Sequence, residues 1–236
     1  MDTILFDLDG TLLPMNQDDF INAYFKGLAA KLVPYGMDSK LLIGAIMEGI
    51  KAMVGNDGTA YNSERFWERT RGIIGNIKDL EPVFLDYYEN EFQDVKAATS
   101  ANSLVAECIK LLKEKGYRLV LTTNPLFPSI ATYSRIRWAG LQPEDFEWIT
   151  TYENSSYCKP NIEYYKEVLN NLGLSPEQCI MVGNDIGDDM VVKAIGMETF
   201  LITDNLINDN NENIDNYRHG SFGEFLDYIK GLPKNR

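Results

Sequence analysis

Two carboxylates stand two residues apart near the start of the chain, in the string Asp7-Leu8-Asp9-Gly10-Thr11-Leu12. They follow a short apolar run, Ile4-Leu5-Phe6, whose length and composition predict a buried strand rather than a turn of helix. Gly10-Thr11 then breaks the chain into a turn. Carboxylates held this close repel one another, so the arrangement needs a cation between them or a proton on one of them. Either state is chemically useful, because one oxygen can attack an electrophile while the neighbouring carboxyl shuttles a proton. The alternative, an ordinary strand closed by an Asp-Gly turn, is disfavoured by the full string behind the strand.

Compatible groups recur at the ends of later apolar runs. A strand predicted over 117–123 ends in the hydroxyl of Thr123 and the amide of Asn124. Another, over 179–182, runs into Gly183-Asn184-Asp185, with Asp188 and Asp189 following. Between them, Cys158-Lys159-Pro160 places an ammonium just ahead of a proline that opens a helix. Ligands of an open parallel sheet bind outside the carboxyl ends of its strands, so these groups would meet in one place. Several oxygens with room for water suit magnesium, whereas a lysine, a threonine hydroxyl and helix N-termini suit a phosphate.

The rest of the chain must position these groups. Phe20, Tyr24, Phe25, Leu28 and Leu32 recur at helical spacing and predict a helix over 20–33, stopped by Pro34 and Gly36. Further helices are predicted over 39–54, 63–75 and 81–92. Four helices without a strand cannot belong to an alternating strand–helix layer, and read as a small bundle inserted after the first strand. From Asn102 the alternation of a parallel sheet begins. Helices are predicted over 103–115, 125–138, 161–172, about 188–196 and 222–231, and strands over 117–123, 146–151, 179–182 and, last, 199–202. The Asn- and Asp-rich stretch 204–216 reads as a solvated loop. The domain reading is a core of 1–14 and 97–236 with an insert of 15–96.

In its motifs the chain resembles the haloacid dehalogenase superfamily across nearly its whole length. Asp7-Leu8-Asp9-Gly10-Thr11 is similar to the first motif, Thr123-Asn124 to the second, Lys159-Pro160 to the third, and Gly183-Asn184-Asp185 with Asp189 to the fourth. The resemblance implies an α/β fold, with a Rossmann-like core of parallel sheet and an inserted four-helix cap of the first type. It implies that Asp7 attacks phosphorus and that Asp9 protonates the leaving alcohol and then activates water. Thr123 and Lys159 would hold the phosphoryl group beside Asn124, and Lys159 would also shield Asp7. Asp7, the main-chain carbonyl of Asp9 and a motif-four residue would hold Mg2+, with Asp189 behind them.

The fourth motif usually reads Gly-Asp, whereas here it reads Gly183-Asn184-Asp185. Counted from Gly183, Asn184 takes the ligand position; counted back from Asp189, Asp185 does. Asp185 is preferred, because a charged ligand binds magnesium better than an amide. Asp9 narrows the chemistry further: the dehalogenases of this superfamily lack an acid there, and phosphonate-cleaving members carry a small residue. The expectation is a magnesium-dependent phosphatase of a small phosphorylated metabolite, working through an aspartyl-phosphate. A phosphomutase acting on a sugar, or a binding protein without catalysis, are the alternatives on the same scaffold. The cap would gate the site, and Met15, Asn16 and Gln17 at the hinge face its mouth, with Asn16 a candidate contact to the leaving group.

Composition removes other classes. Twenty-two basic against 35 acidic side chains give a net charge of −13, which argues against nucleic acid and anionic membranes as partners. The longest apolar run, 41–54, is broken by Glu48 and Lys51 and is too short to span a bilayer. No signal peptide precedes the first strand, and Cys108, Cys158 and Cys179 have neither zinc-ligand nor disulfide spacing, so a reducing cytoplasm is expected. His219 reads as a surface residue, and Cys158 as packing. The cap aromatics Tyr24, Phe25, Phe66 and Tyr88, like the tryptophans, read first of all as core.

Overall fold

The N-terminal apolar run forms β1 (Thr3–Phe6), every residue of which is buried. Such a strand needs cover on both faces and both edges. Its edges are taken by β2 (Arg118–Leu121) on one side and β4 (Cys179–Gly183) on the other. With β3 (Trp148–Ile149), β5 (Glu198–Ile202) and β6 (His219–Gly220), they make one parallel sheet in the order β3-β2-β1-β4-β5-β6. The direction of winding reverses between β1 and β4, which is where a sheet of this order opens a crevice at its carboxyl end. The computed structural model describes residues 1–75 and 80–235.

Between β1 and the rest of the sheet, the chain forms α1 (Gln17–Leu32), α2 (Ser39–Val54), α3 (Asn62–Ile74) and α4 (Glu81–Glu89), followed by a 3-10 segment, Glu91–Ala98. Asn16 caps α1 by accepting the Asp19 N–H, and Asp38 caps α2 by accepting that of Leu41. The two crossings into and out of this bundle lie side by side: Met15 bridges Thr99, and the Ser100 N–H donates to the Pro14 carbonyl at 2.8 Å. The start of α3 rests on the core, where Asn62 and Ser63 donate their N–H groups to the carbonyls of Ser155 and Tyr152, both at 2.8 Å. These are donors that a helix start cannot satisfy internally.

The core helices are α5 (Ser103–Glu114), α6 (Ser129–Trp138), α7 (Ile162–Leu172), the single turn α8 (Ile186–Asp189) and α9 (Phe222–Gly231). Strand residues alternate between the two faces. Leu5, Val120 and Met181 pack with Tyr164 and Val168 of α7, whereas Ile4, Phe6 and Val182 belong to the larger core that contains Ile109 of α5 and Phe225 of α9.

Several boundaries differ from the sequence reading. A sixth strand, containing the exposed His219, follows the one read as last; at two residues it is too short to leave a periodic signal. Only Trp148–Ile149 of the strand expected over 146–151 joins the ladder, since Thr150 turns its hydroxyl to the Thr123 carbonyl. α6 starts at Ser129 rather than Pro125, with Pro128 extended at its N-cap. The fourth cap helix stops at Glu89, where Asn90 leaves helical geometry. α8 starts at Ile186, because Asp185 caps it, and passes into a 3-10 segment, Met190–Ile195. Among the described residues no helix is long and apolar enough to cross a membrane.

Candidate active site

Asp7 is fixed at the carboxyl end of β1 by its own N–H, which donates to the Val182 carbonyl of β4 at 2.9 Å. The chain then folds back on itself, with the Gly10 N–H on the Leu13 carbonyl and the Leu13 N–H on that of Leu8. Gly10 has φ +88°, and a Cβ there would lie 2.5 Å from Asn184 Nδ2, so conformation and space both call for glycine. Asn184 thereby sits against the turn. Thr11 Oγ1 lies 2.8 Å from Asn184 Oδ1 and 3.2 Å from Asp7 Oδ2. One hydroxyl proton thus faces two acceptors and satisfies one at a time.

Lys159 is buried between two acids, its Nζ 2.8 Å from Asp7 Oδ1 and 2.6 Å from Asp189 Oδ1. Burial alone would favour the neutral amine, but the carboxylates of Asp189 and Asp7 outweigh it and hold the pKa well above the usual lysine value. Asp189 is in turn fixed by the Asp185 N–H on its other oxygen at 3.1 Å. Its close approach requires Gly183, since a Cβ there would fall 2.1 Å from Asp189 Oδ2.

Asp9 lines the same cavity as these groups and forms an ion pair with Arg135, which reaches in from α6. The arginine is 1% exposed and Asp9 26%. The guanidinium also lies 4.6 Å from the centre of the Phe127 ring and donates to Thr132 Oγ1 at 3.3 Å. Burial raises the Asp9 pKa, with the charge of Arg135 opposing it. The sequence reading left Arg135 out. Its signal was an arginine four residues after the buried Ala131 and beside Ile136, on the inward face of a helix.

Thr123 and Asn124 line the same cavity from the end of β2, and Asn124 Nδ2 lies 3.3 Å from Asp188 Oδ2. Asp185 also lines it, but its Oδ1 accepts the N–H groups of Gly187 and Asp188 at the start of α8. Asn184, not the preferred Asp185, therefore faces the Asp7 turn. Asn16 is exposed and occupied in capping α1, and it is the flanking Met15 and Gln17 that reach the cavity.

The donors suit a hard cation. All are oxygens, and among the described residues five carboxylates (Asp7, Asp9, Asp185, Asp188, Asp189) are set against Lys159 and Arg135. Burial raises the pKa of Asp185, and that of Asp188 to about 6, as expected for carboxyls withdrawn from water. Asp9 Oδ1 and Asn124 Oδ1 are buried without a donor. Among the described residues no three His, Cys, Asp or Glu side chains converge on one point; beside Asp7 the neighbouring oxygen is that of the Asn184 carboxamide.

These groups form the floor of a cavity of about 380 Å³, roofed by the helical insert. A family model described as haloacid dehalogenase-like hydrolase matches residues 1–196. The glyceraldehyde 3-phosphate phosphatase of Methanocaldococcus jannaschii is 24% identical over 235 residues, 98% of each chain. Pyrophosphatase PpaX of Bacillus pumilus is 26% identical over 199 residues, 84% of this chain and 82% of its own. Among solved structures, a HAD phosphatase from Thermococcus onnurineus superposes over the full length of both chains with a TM-score of 0.63 at 20% identity. Sheet order, inserted helices and family model agree: the chain belongs to the haloacid dehalogenase-like hydrolases and carries a helical cap.

Proposed function

We propose that the protein is a magnesium-dependent phosphatase that hydrolyses a small phosphorylated metabolite through a phosphoryl group carried on Asp7. The observation that carries this reading is the Asp7 carboxylate itself, held by Lys159 on one oxygen and Thr11 on the other, with a second carboxyl two residues on. Asp7 attacks phosphorus as the bond to the leaving oxygen breaks, and Asp9 gives that oxygen its proton. Water then attacks the aspartyl-phosphate, Asp9 takes a proton from it, and inorganic phosphate and free Asp7 result. Thr123 and Lys159 hold the non-bridging oxygens, with Asn124 beside them.

Asp7, the Asp9 main-chain carbonyl and Asn184 would hold the metal, with Asp185 as the charged alternative and Asp189 behind them, steadying Lys159. Asn184 is favoured because its carboxamide oxygen already faces the Asp7 turn, while an Asp185 oxygen serves the start of α8. Bound magnesium would offset the repulsion between Asp7 and a phosphate dianion. Residues 15–96 act as the gate over a core of 1–14 and 97–236, excluding water during attack and opening for release. The three cysteines, all free and buried, suit work in a reducing cytoplasm. The deciding assay is hydrolysis of p-nitrophenyl phosphate, expected to require Mg2+ and to vanish in Asp7→Asn; turnover that survives either change refutes the reading.

A further inference from the structure

The cavity has two unlike ends. At its floor lie Lys159, Thr123 and the acids; the walls above are almost wholly hydrocarbon, with Phe20, Phe25, Ile50, Phe66, Trp67 and Phe84 from the cap. Leu126, Phe127 and Ile207 continue that surface from the core. The polar groups above the floor are few, the Gln17 amide and the hydroxyls of Tyr24, Tyr88 and Tyr152, and those of Tyr24 and Tyr88 use one of their two protons on each other at 2.9 Å.

Among the described residues no cap cation lines this space. Lys31 pairs with Asp86 and Glu91, Lys51 and Arg69 with Glu48, Arg65 with Asp57, and Arg71 with Glu81. Among the described residues Lys159 is the one cation on the cavity wall, and Asp7 and Asp189 already share it. A second anionic group on the substrate would meet no counter-charge and would be repelled by the surplus acids of the floor. A sugar ring would leave several hydroxyls without partners.

We infer that the leaving group is an uncharged, hydrocarbon-rich alcohol, so that the substrate is a phosphomonoester with one polar end and an apolar tail lying under the cap. This rests on the phosphatase reading and names its substrate class. The volume falls within the range of about 300–1,000 Å³ typical of small-ligand pockets. Selectivity then comes from burying apolar surface against the aromatic roof, and each methylene that enters fully adds a factor of about four in affinity.

The test uses the intact protein in excess Mg2+, with ethyl, butyl, hexyl and octyl phosphate set beside phosphoglycolate, inorganic pyrophosphate and p-nitrophenyl phosphate. The expected kcat/KM climbs with chain length, mainly through KM, and the two substrates with additional charge lag behind hexyl phosphate by at least tenfold. A flat or falling series, or phosphoglycolate or pyrophosphate matching hexyl phosphate, overturns the inference while p-nitrophenyl phosphate turnover leaves the phosphatase reading standing. No turnover of any ester removes both. Met47, at the cavity rim and 41% exposed, supplies a variant that should fold. Met47→Lys is expected to flatten the chain-length slope and raise kcat/KM for phosphoglycolate; a folded variant with an unchanged slope counts against an apolar wall.

Discussion

Arg135 and Asp9, 126 residues apart in the sequence, form an ion pair in which the arginine is almost entirely enclosed. The guanidinium is held by the Phe127 ring and the Thr132 hydroxyl, so it offers a fixed anchor for the carboxyl assigned to proton transfer. On the proposed mechanism Arg135 would be a positioning residue, acting on the reaction through Asp9. Arg135→Met is expected to lower stability by about 2–4 kcal/mol, the lower part of the range reflecting the exposed fraction of Asp9. Loss of the guanidinium removes an influence that lowers the Asp9 pKa, so Asp9 keeps its proton to higher pH. The alkaline limb of the kcat/KM profile should therefore move upward in Arg135→Met and stay in place in Arg135→Lys. A limb that does not move in either variant assigns Arg135 to packing alone.

Lys159 and Asp7 should separate stability from chemistry. Lys159→Met leaves Asp7 and Asp189 facing each other, buried, with no counter-charge, and should cost about 3–5 kcal/mol in urea unfolding. Asp7→Asn removes one of the crowded acids and keeps the Lys159–Asp189 pair. It should abolish turnover while its unfolding midpoint stays at or above that of the wild type. A marked loss of stability in Asp7→Asn is the contrary outcome.

Metal affinity discriminates between Asn184 and Asp185. Asn184→Asp adds a charge beside the Asp7 turn and is expected to tighten Mg2+ binding by on the order of tenfold in titration calorimetry. Asp185→Ala removes the cap of α8, which should cost about 1 kcal/mol of stability and leave Mg2+ affinity within about twofold. The reverse pattern makes Asp185 the ligand.

The acids around the site would also link metal binding to pH. Burial raises Asp188 from 3.8 to about 6, so the folded protein prefers its protonated form. The stability this contributes is full below the unfolded value and is lost as pH rises through about 6. A bound divalent cation would stabilise the ionised buried acids that a proton neutralises at lower pH. The rise in Tm on adding Mg2+, followed by scanning calorimetry, should thus be larger at about pH 7.5 than at about pH 5. Equal rises at both would sink this account.

Much of the architecture was legible because its elements are long and periodic. The helical spacing of Phe20, Tyr24 and Leu28 marked the bundle, and the apolar runs behind Asp7 and Asn184 marked strands buried on both faces. Lys159 and Asn184 could be placed near Asp7 because strand ends of a parallel sheet share one edge. Features set by tertiary contact escaped. β6 is two residues long, and the buried charge of Arg135 is compensated by Asp9, 126 residues away in the chain. The choice between Asn184 and Asp185 depends on which one caps α8, and a motif count does not carry that information. The cap aromatics read as bundle core do pack together, yet Phe25, Phe66 and Tyr88 also form the ceiling of the cavity.

The position of β1 in the sheet bears on how the protein is made. Asp7 leaves the ribosome 152 residues ahead of Lys159, and Thr11 waits 173 residues for Asn184. The first strand has no edge to pair with until 118–121 and 179–182 have been synthesised, whereas α1 to α4 make contacts within one short stretch. Contacts of such long range are slow to close, and domains generally form in the order in which they emerge. The roof is thus assembled before the floor. A nascent or truncated chain that stops short of β4 holds Asp7 on a strand still lacking one of its two neighbours, so the groups that meet Asp7 come together only in the completed fold.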